Sequence, residues 1–219
     1  MKSLTELKKE KENENENQEE NQIQNQNQIQ NENENKIEFK DSEIINDNRY
    51  VQKLQEWIND NDFFSKMKKG FSAKRDGFNC ENWHKAVDNK GKTLVVIKTK
   101  QNFIFGGFTK VGWKKNKSKS NQKDTQFYDG YINDSDAFIF SLRNNKGDRQ
   151  PEKFSIKKKE AKNAIYYGLK NGPVFGGGND IKIKSNLKSG KLNFGYTFHL
   201  PKRYNVGKQS SSELFSWFL

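Results

Sequence analysis

At 219 residues the chain has room for one domain or a little more, yet only 31% of it is hydrophobic, 31% is charged and the mean hydropathy is −1.14. That is too polar for every segment to fold around a core, and no apolar run approaches the roughly 18 to 20 residues of a membrane span. A net charge of +12 favours anionic partners, and the single cysteine, Cys80, excludes an intrachain disulfide and the cysteine-rich zinc sites.

The N-terminus, MKSLTELKKEKENENENQEE, lacks the apolar stretch of a signal peptide. An intracellular protein is expected, in the cytoplasm or on the cytosolic face of an organelle. Residues 1–36 carry five lysines and nine glutamates, a net −4, which leaves +16 on the remainder. This tract of Asn, Gln, Glu and Lys has almost nothing to bury, so it cannot offset the entropy of ordering. It reads as a disordered tail. Self-association of a Gln/Asn segment is the functional alternative, opposed by the interspersed glutamates.

A helix is predicted in RYVQKLQEWINDN, where Val51, Leu54, Trp57 and Ile58 recur at helical spacing on one face. A second is predicted in FNCENWHKAVDNKG. Asn79 is its N-cap, Phe78 and Trp83 stand at hydrophobic-staple positions, and Asn89-Lys90-Gly91 ends it.

From Thr93 the pattern becomes strand-like. TLVVIKTK is rich in β-branched residues, and FIFGGFTKVGW follows a turn at Lys100-Gln101-Asn102. Residues 114–136 are lysine-rich without an apolar pattern and read as a long inserted loop. AFIFSL, FSI, AIYYG, PVFGGG, the cleanly alternating IKIK and KLNFGYTFHL, closed by Pro201, are further strand candidates. Short strands separated by turns, with few helices, predict a mainly β α+β fold: an antiparallel sandwich or barrel with a few short helices. The glycine pairs and runs, Gly106-Gly107 and Gly172 to Gly178, read as bulges, turns or close backbone approaches.

Catalytic candidates are few. Cys80, His84 and Asp88 fall at i, i+4 and i+8, one face of the second helix, in the order of a thiol, an imidazole and an orienting carboxylate. Successive turns separate them by about 6 Å, and no oxyanion loop or zinc spacing accompanies them. The alternative is a half-buried helix whose Trp83 and Val87 face the core. His199 is an isolated imidazole, read as a packing or surface residue. No nucleophile elbow, zinc-protease helix or phosphate loop is present. The expectation is no enzyme, no metal and no cofactor.

Lys114, Lys115, Lys117, Lys119 and Lys123, with Lys110 just before them, form a basic run interleaved with Ser and Asn. A solvated, mobile loop is the plain reading; electrostatic docking makes it the candidate partner-binding element, with lipid or nucleic acid behind an acidic protein face. Without a reading motif, nucleic acid is the weaker reading beside an acidic protein surface.

Taken in order, FSAKRDGFNCENWHKAVDNKGKTLVVIKTK, IFGGFTKVGW, DAFIFSL, NGPVFGGGNDIKI and GYTFHLP resemble the TLDc domain family. The carrying residues are Arg75, Asp76, Gly77, Phe78, Asp88, Gly91, Phe105, Gly106, Gly107, Phe108, Trp113, Phe138, Phe140, Ser141, Gly172, Pro173, Phe175, Gly176, Asp180 and Pro201. Residues 1–40 are then the tail and 41–219 the TLDc-like domain. Two positions depart from the family pattern: Val87 replaces a common cysteine, and YNVGKQSSSELFSWFL is a poor version of the closing strand. The resemblance implies a two-sheet antiparallel β-sandwich flanked by a few helices. It also implies a non-catalytic interaction domain linked to oxidative-stress resistance and to binding and regulating the vacuolar proton-pumping ATPase. Alternatives are a redox-reactive thiol at Cys80 and non-specific RNA binding by the basic body.

Overall fold

The structure, a computed structural model, describes residues 39, 42–113, 129–144 and 150–201. Helix α1, Asn48–Ile58, starts where the Asp47 carboxylate accepts the Arg49 amide at 2.9 Å, and it buries Tyr50, Val51, Leu54 and Ile58. It stops sooner than the predicted span because Asn59 turns left-handed, with φ at 46°. Asp60 then accepts the Phe63 amide and caps a separate short helix α2, Asn61–Lys66. Helix α3, Ala73–Asp76, is a single turn, and α4 runs from Cys80 to Val87 behind its Asn79 cap. The predicted staple does not form. Phe78 is 47% exposed with the Lys188 ammonium over its ring, whereas Trp83 packs in the core against Trp113.

The strands follow as β1 (Thr93–Lys98), β2 (Ile104–Thr109), β3 (Gly130–Ile132), β4 (Phe138–Arg143), β5 (Glu152–Ser155), β6 (Ile165–Tyr167), β7 (Asn171–Phe175), β8 (Ile181–Lys184) and β9 (Gly190–Leu192). They make two antiparallel sheets: a four-stranded one in the order β1-β2-β4-β5 and a five-stranded one in the order β3-β6-β7-β8-β9. One apolar cluster joins them, with Phe105, Ile139 and Phe154 from the first sheet meeting Ile165, Tyr167, Phe175 and Ile181 from the second.

The central strands of the four-stranded sheet are buried on both faces. Alternation along β2 and β4 sends Phe105 and Ile139 to the inter-sheet core, and Phe108, Phe138 and Phe140 toward the helices. There Trp57 of α1 packs on Phe138 and Phe140, and Phe63 of α2 meets Phe108 edge-on at 5.3 Å. The two glycines between the phenylalanines make room on opposite faces. A Cβ on Gly106 would come within 2.8 Å of the Phe140 ring and overlap the Val95 carbonyl, and one on Gly107 would come within 2.7 Å of Phe175. The close approach expected here is present, and the register shift lies beside it, between Ile104 and Phe105.

In the second sheet, Ile181 and Ile183 point inward while Lys182 and Lys184 point out, as the alternation of IKIK predicts. Pro173, which has no amide hydrogen to give to a ladder, sits in the register shift between Asn171 and Val174. Three expectations are corrected. The segment read as the uniform loop 114–136 contains β3, which pairs with β6. A 3-10 helix, Lys158–Asn163, separates the FSI and AIYYG strands, where the sequence pattern predicts no helix. KLNFGYTFHL is not one strand: it contributes β9, a series of turns and the lone bridge Ile156–Phe198.

Candidate functional site

The face of α4 that carries Cys80, His84 and Asp88 closes over the turn between β6 and β7. His84 is buried, and its Nδ1 lies 2.9 Å from Asp88 Oδ1. These two side chains therefore do meet, which the one-turn spacing on the helix did not lead one to expect. They can because Asp88 is the C-cap, with extended backbone that lets its carboxylate fold back. Nε2 faces the carbonyls of Gly168 and Asn171, each at 3.1 Å, so this nitrogen carries its hydrogen and donates to both. Tyr167 donates its hydroxyl to Asp88 Oδ2 at 3.0 Å. Burial first, and that bond second, push the Tyr167 hydroxyl well above the usual phenol range. Cys80 is 8% exposed, and its thiol points to the Leu169 carbonyl at 3.4 Å rather than to His84. The imidazole and the thiol thus both hold backbone of the same turn. The three residues join α4 to the five-stranded sheet.

The family-motif residues are chiefly packing and backbone-holding groups. Arg75 grips the Asp76 carboxylate with two nitrogens at 2.6 and 2.7 Å, and Ser72 donates its amide to the same group. The guanidinium first and the amide second draw the Asp76 carboxyl down to about 2. Gly77 and Gly91 have positive φ beside α4, and the buried Trp113 stacks edge-on against Trp83 and Phe175. Ser141 is buried on β4, and Gly172 lies under Leu187 and Ile183. Pro201 ends the described chain. Asp180 is fully buried and accepts the amides of Gly195, Thr197 and Phe198, within 3.0 to 3.3 Å. Burial raises its carboxyl pKa, against the opposing pull of those amides. Gly176, left-handed at φ +85°, leaves the space that this carboxylate occupies. Its amide goes to the Ala164 carbonyl and that of Gly177 to the Thr197 hydroxyl, so these glycine amides serve the fold, not an anion. Asp134, not singled out in the sequence, does a similar job by accepting the Thr109 hydroxyl and the Lys110 amide, both at 2.7 Å. A polar residue between loop and strand is a weak signal, and only the tertiary contact distinguishes it.

On the surface, a groove of about 470 Å³ is lined by Lys157, Lys158, Lys159, Glu160, Tyr196 and His199. The sequence signal for it was the run IKKKE, overlooked beside the longer lysine segment. Lys114, Lys115, Lys117, Lys119 and Lys123 lie outside the described residues. Among the described residues, no group of three His, Cys, Asp or Glu could hold a metal ion, and no helix is long and apolar enough to cross a membrane.

Two antiparallel sheets around one core, a few short helices packed against them and buried carboxylates holding loops define a mainly β domain. The TLDc domain profile matches residues 39–215, nearly the whole chain. The chain therefore belongs to the TLDc domain family, which is generally linked to resistance against oxidative stress. No curated protein is significantly similar to it.

Proposed function

We propose that this chain is a non-catalytic interaction module that acts in oxidative-stress resistance by binding and regulating the vacuolar proton-pumping ATPase. The observation that carries this reading is the commitment of Cys80, His84 and Asp88 to contacts within the domain: the thiol and the imidazole each face carbonyls of the 168–171 turn. A reactive thiol needs access and a thiolate-stabilising neighbour, and Cys80 is buried against a carbonyl oxygen. The excess of positive charge adds an electrostatic contribution to the on-rate toward an acidic partner.

The test is a titration of the full chain against the soluble catalytic sector of the ATPase at two salt concentrations, with RNA as competitor and ATP hydrolysis followed in parallel. Saturable, salt-sensitive binding that RNA does not displace, with altered hydrolysis or assembly, is expected. Neutralising Lys114, Lys115, Lys117, Lys119 and Lys123 together is expected to weaken that binding and flatten its salt dependence. Binding of RNA alone would overturn the reading.

A further inference from the structure

The groove beside the 3-10 helix combines a loop whose backbone is held by hydrogen bonds with an exposed aromatic ring. Tyr196 is 58% exposed, the most exposed large hydrophobic side chain among the described residues. Its loop is nevertheless held from both sides. From within, the buried Asp180 carboxylate takes the amides of Gly195 and Thr197, the residues on either side of Tyr196. From the rim, the Lys157 ammonium donates to the carbonyls of Gly195 at 2.6 Å and Tyr196 at 3.0 Å. The Lys157 amide adds a bond to the Thr197 carbonyl, and the Tyr196 side chain rests on Gly178, where a Cβ would collide with it. An aromatic ring on a pre-ordered loop loses little conformational entropy when a partner covers it, which is how interface anchors gain their affinity.

The charges around the ring specify the partner. Lys157 is occupied by its two carbonyls, but the exposed Lys158 and Lys159 have no ion-pair partner among the described residues. His199, also exposed, lines the same groove. The one acid of the groove, Glu160, accepts from Asn163 at 3.0 Å. A single-stranded nucleic acid needs an uninterrupted cationic track with successive stacking platforms. Here there is one tyrosine platform, and the cationic run ends at a carboxylate that also lines the groove. A short acidic stretch of protein fits better: one or two carboxylates to Lys158 and Lys159, and one side chain against Tyr196.

Resting on the reading of the chain as a protein-interaction module, we infer that the Lys158–Lys159–Tyr196–His199 groove is a docking site for an acidic protein segment carrying an aromatic or apolar residue. A labelled glutamate–tyrosine copolymer, titrated into the full 219-residue chain by fluorescence anisotropy, tests this without the ATPase. The Lys158→Glu/Lys159→Glu variant should weaken binding roughly tenfold or more, since like charges oppose the polymer. Tyr196→Ala should weaken it about fivefold, the loss of one aromatic anchor. The equal charge reversal Lys98→Glu/Lys100→Glu, on the β1–β2 hairpin at the opposite edge of the four-stranded sheet from β5, should leave it within about twofold, which separates a site from general attraction. Four results would overturn the proposal: no binding of the copolymer, equal losses in both reversals, an unaffected Tyr196→Ala, or displacement of the copolymer by poly-uridylate at equal charge. None of them depends on whether the ATPase binds, so the groove and the wider function can fail separately.

Discussion

The interior where β2 faces β7 and the rim where Tyr196 stands beside the lysines are held by opposite means. Inside, the absence of side chains is the device. Gly106 and Gly107 let Phe140 and Phe175 press against the strand from its two faces, so aromatic bulk fills the space that two missing Cβ atoms leave. At the rim hydrogen bonds are the device. Asp180 and Lys157 capture backbone groups and keep the Tyr196 ring facing solvent. The first arrangement is intolerant of added volume. The second tolerates changes of exposed side chain but depends on a buried charge. A family motif can thus be conspicuous in sequence for packing, while the surface that meets a partner is built from residues with no conspicuous pattern.

That contrast breaks most easily at Gly106. Gly106→Ala should cost about 3 kcal/mol or more, because the Cβ meets a backbone carbonyl in a paired strand, and neither strand can yield without losing its ladder. Urea unfolding measures it, and a loss below about 1 kcal/mol would mean that the sheet shifts to accommodate volume. Asp180→Asn should cost about 2 kcal/mol, since the side-chain amide then faces an amide donor it cannot accept. The penalty also has a pH dependence. A carboxyl whose pKa is raised by burial contributes stability that is complete below its unfolded value and lost as pH rises through its folded value. The difference between wild type and Asp180→Asn should therefore shrink as pH rises above about 4.

Asp76 has the opposite sign. Held down to about 2 by Arg75, it contributes stability present above its ordinary value of 3.8 and lost as pH falls toward 2. Asp76→Asn should lower stability at neutral pH and flatten the acid limb of a stability–pH curve, so that its deficit against wild type closes as pH falls through that window. A parallel shift at all pH values would assign the residue to loop geometry instead of charge. Smallest of all, Lys158→Glu/Lys159→Glu should alter thermal stability by no more than about 0.5 kcal/mol, as expected for exposed side chains. A larger loss would show that these lysines belong to the scaffold.

Much of the scaffold was legible in advance. The apolar spacing of α1, the Asn79 cap, the β-branched run of β1 and the alternation of β8 are local signals that the fold had no reason to override. The failures share a cause. KLNFGYTFHL has the composition of a strand, but Asp180 takes the amides of Gly195, Thr197 and Phe198, and Gly195 bends at φ +96°. Backbone donors captured by a distant carboxylate cannot join a ladder. β3 is three residues at a sheet edge, too short for alternation to register. The His84–Asp88 contact was missed because spacing along a helix says nothing of a side chain that curls back from the cap.

By itself, the sequence determined the β-rich class, two of the helices and the Asn79 cap of one, the excess of positive charge and the motif order that marks a TLDc domain. Each is a property of neighbouring residues or of totals. Only the tertiary structure decided what those residues do: that His84 holds a turn, that Asp180 organises a loop, and that Tyr196 lines one groove with Lys158 and Lys159. Those outcomes depend on groups from 15 to 87 residues apart being brought within a few ångströms, and no local propensity encodes such a distance.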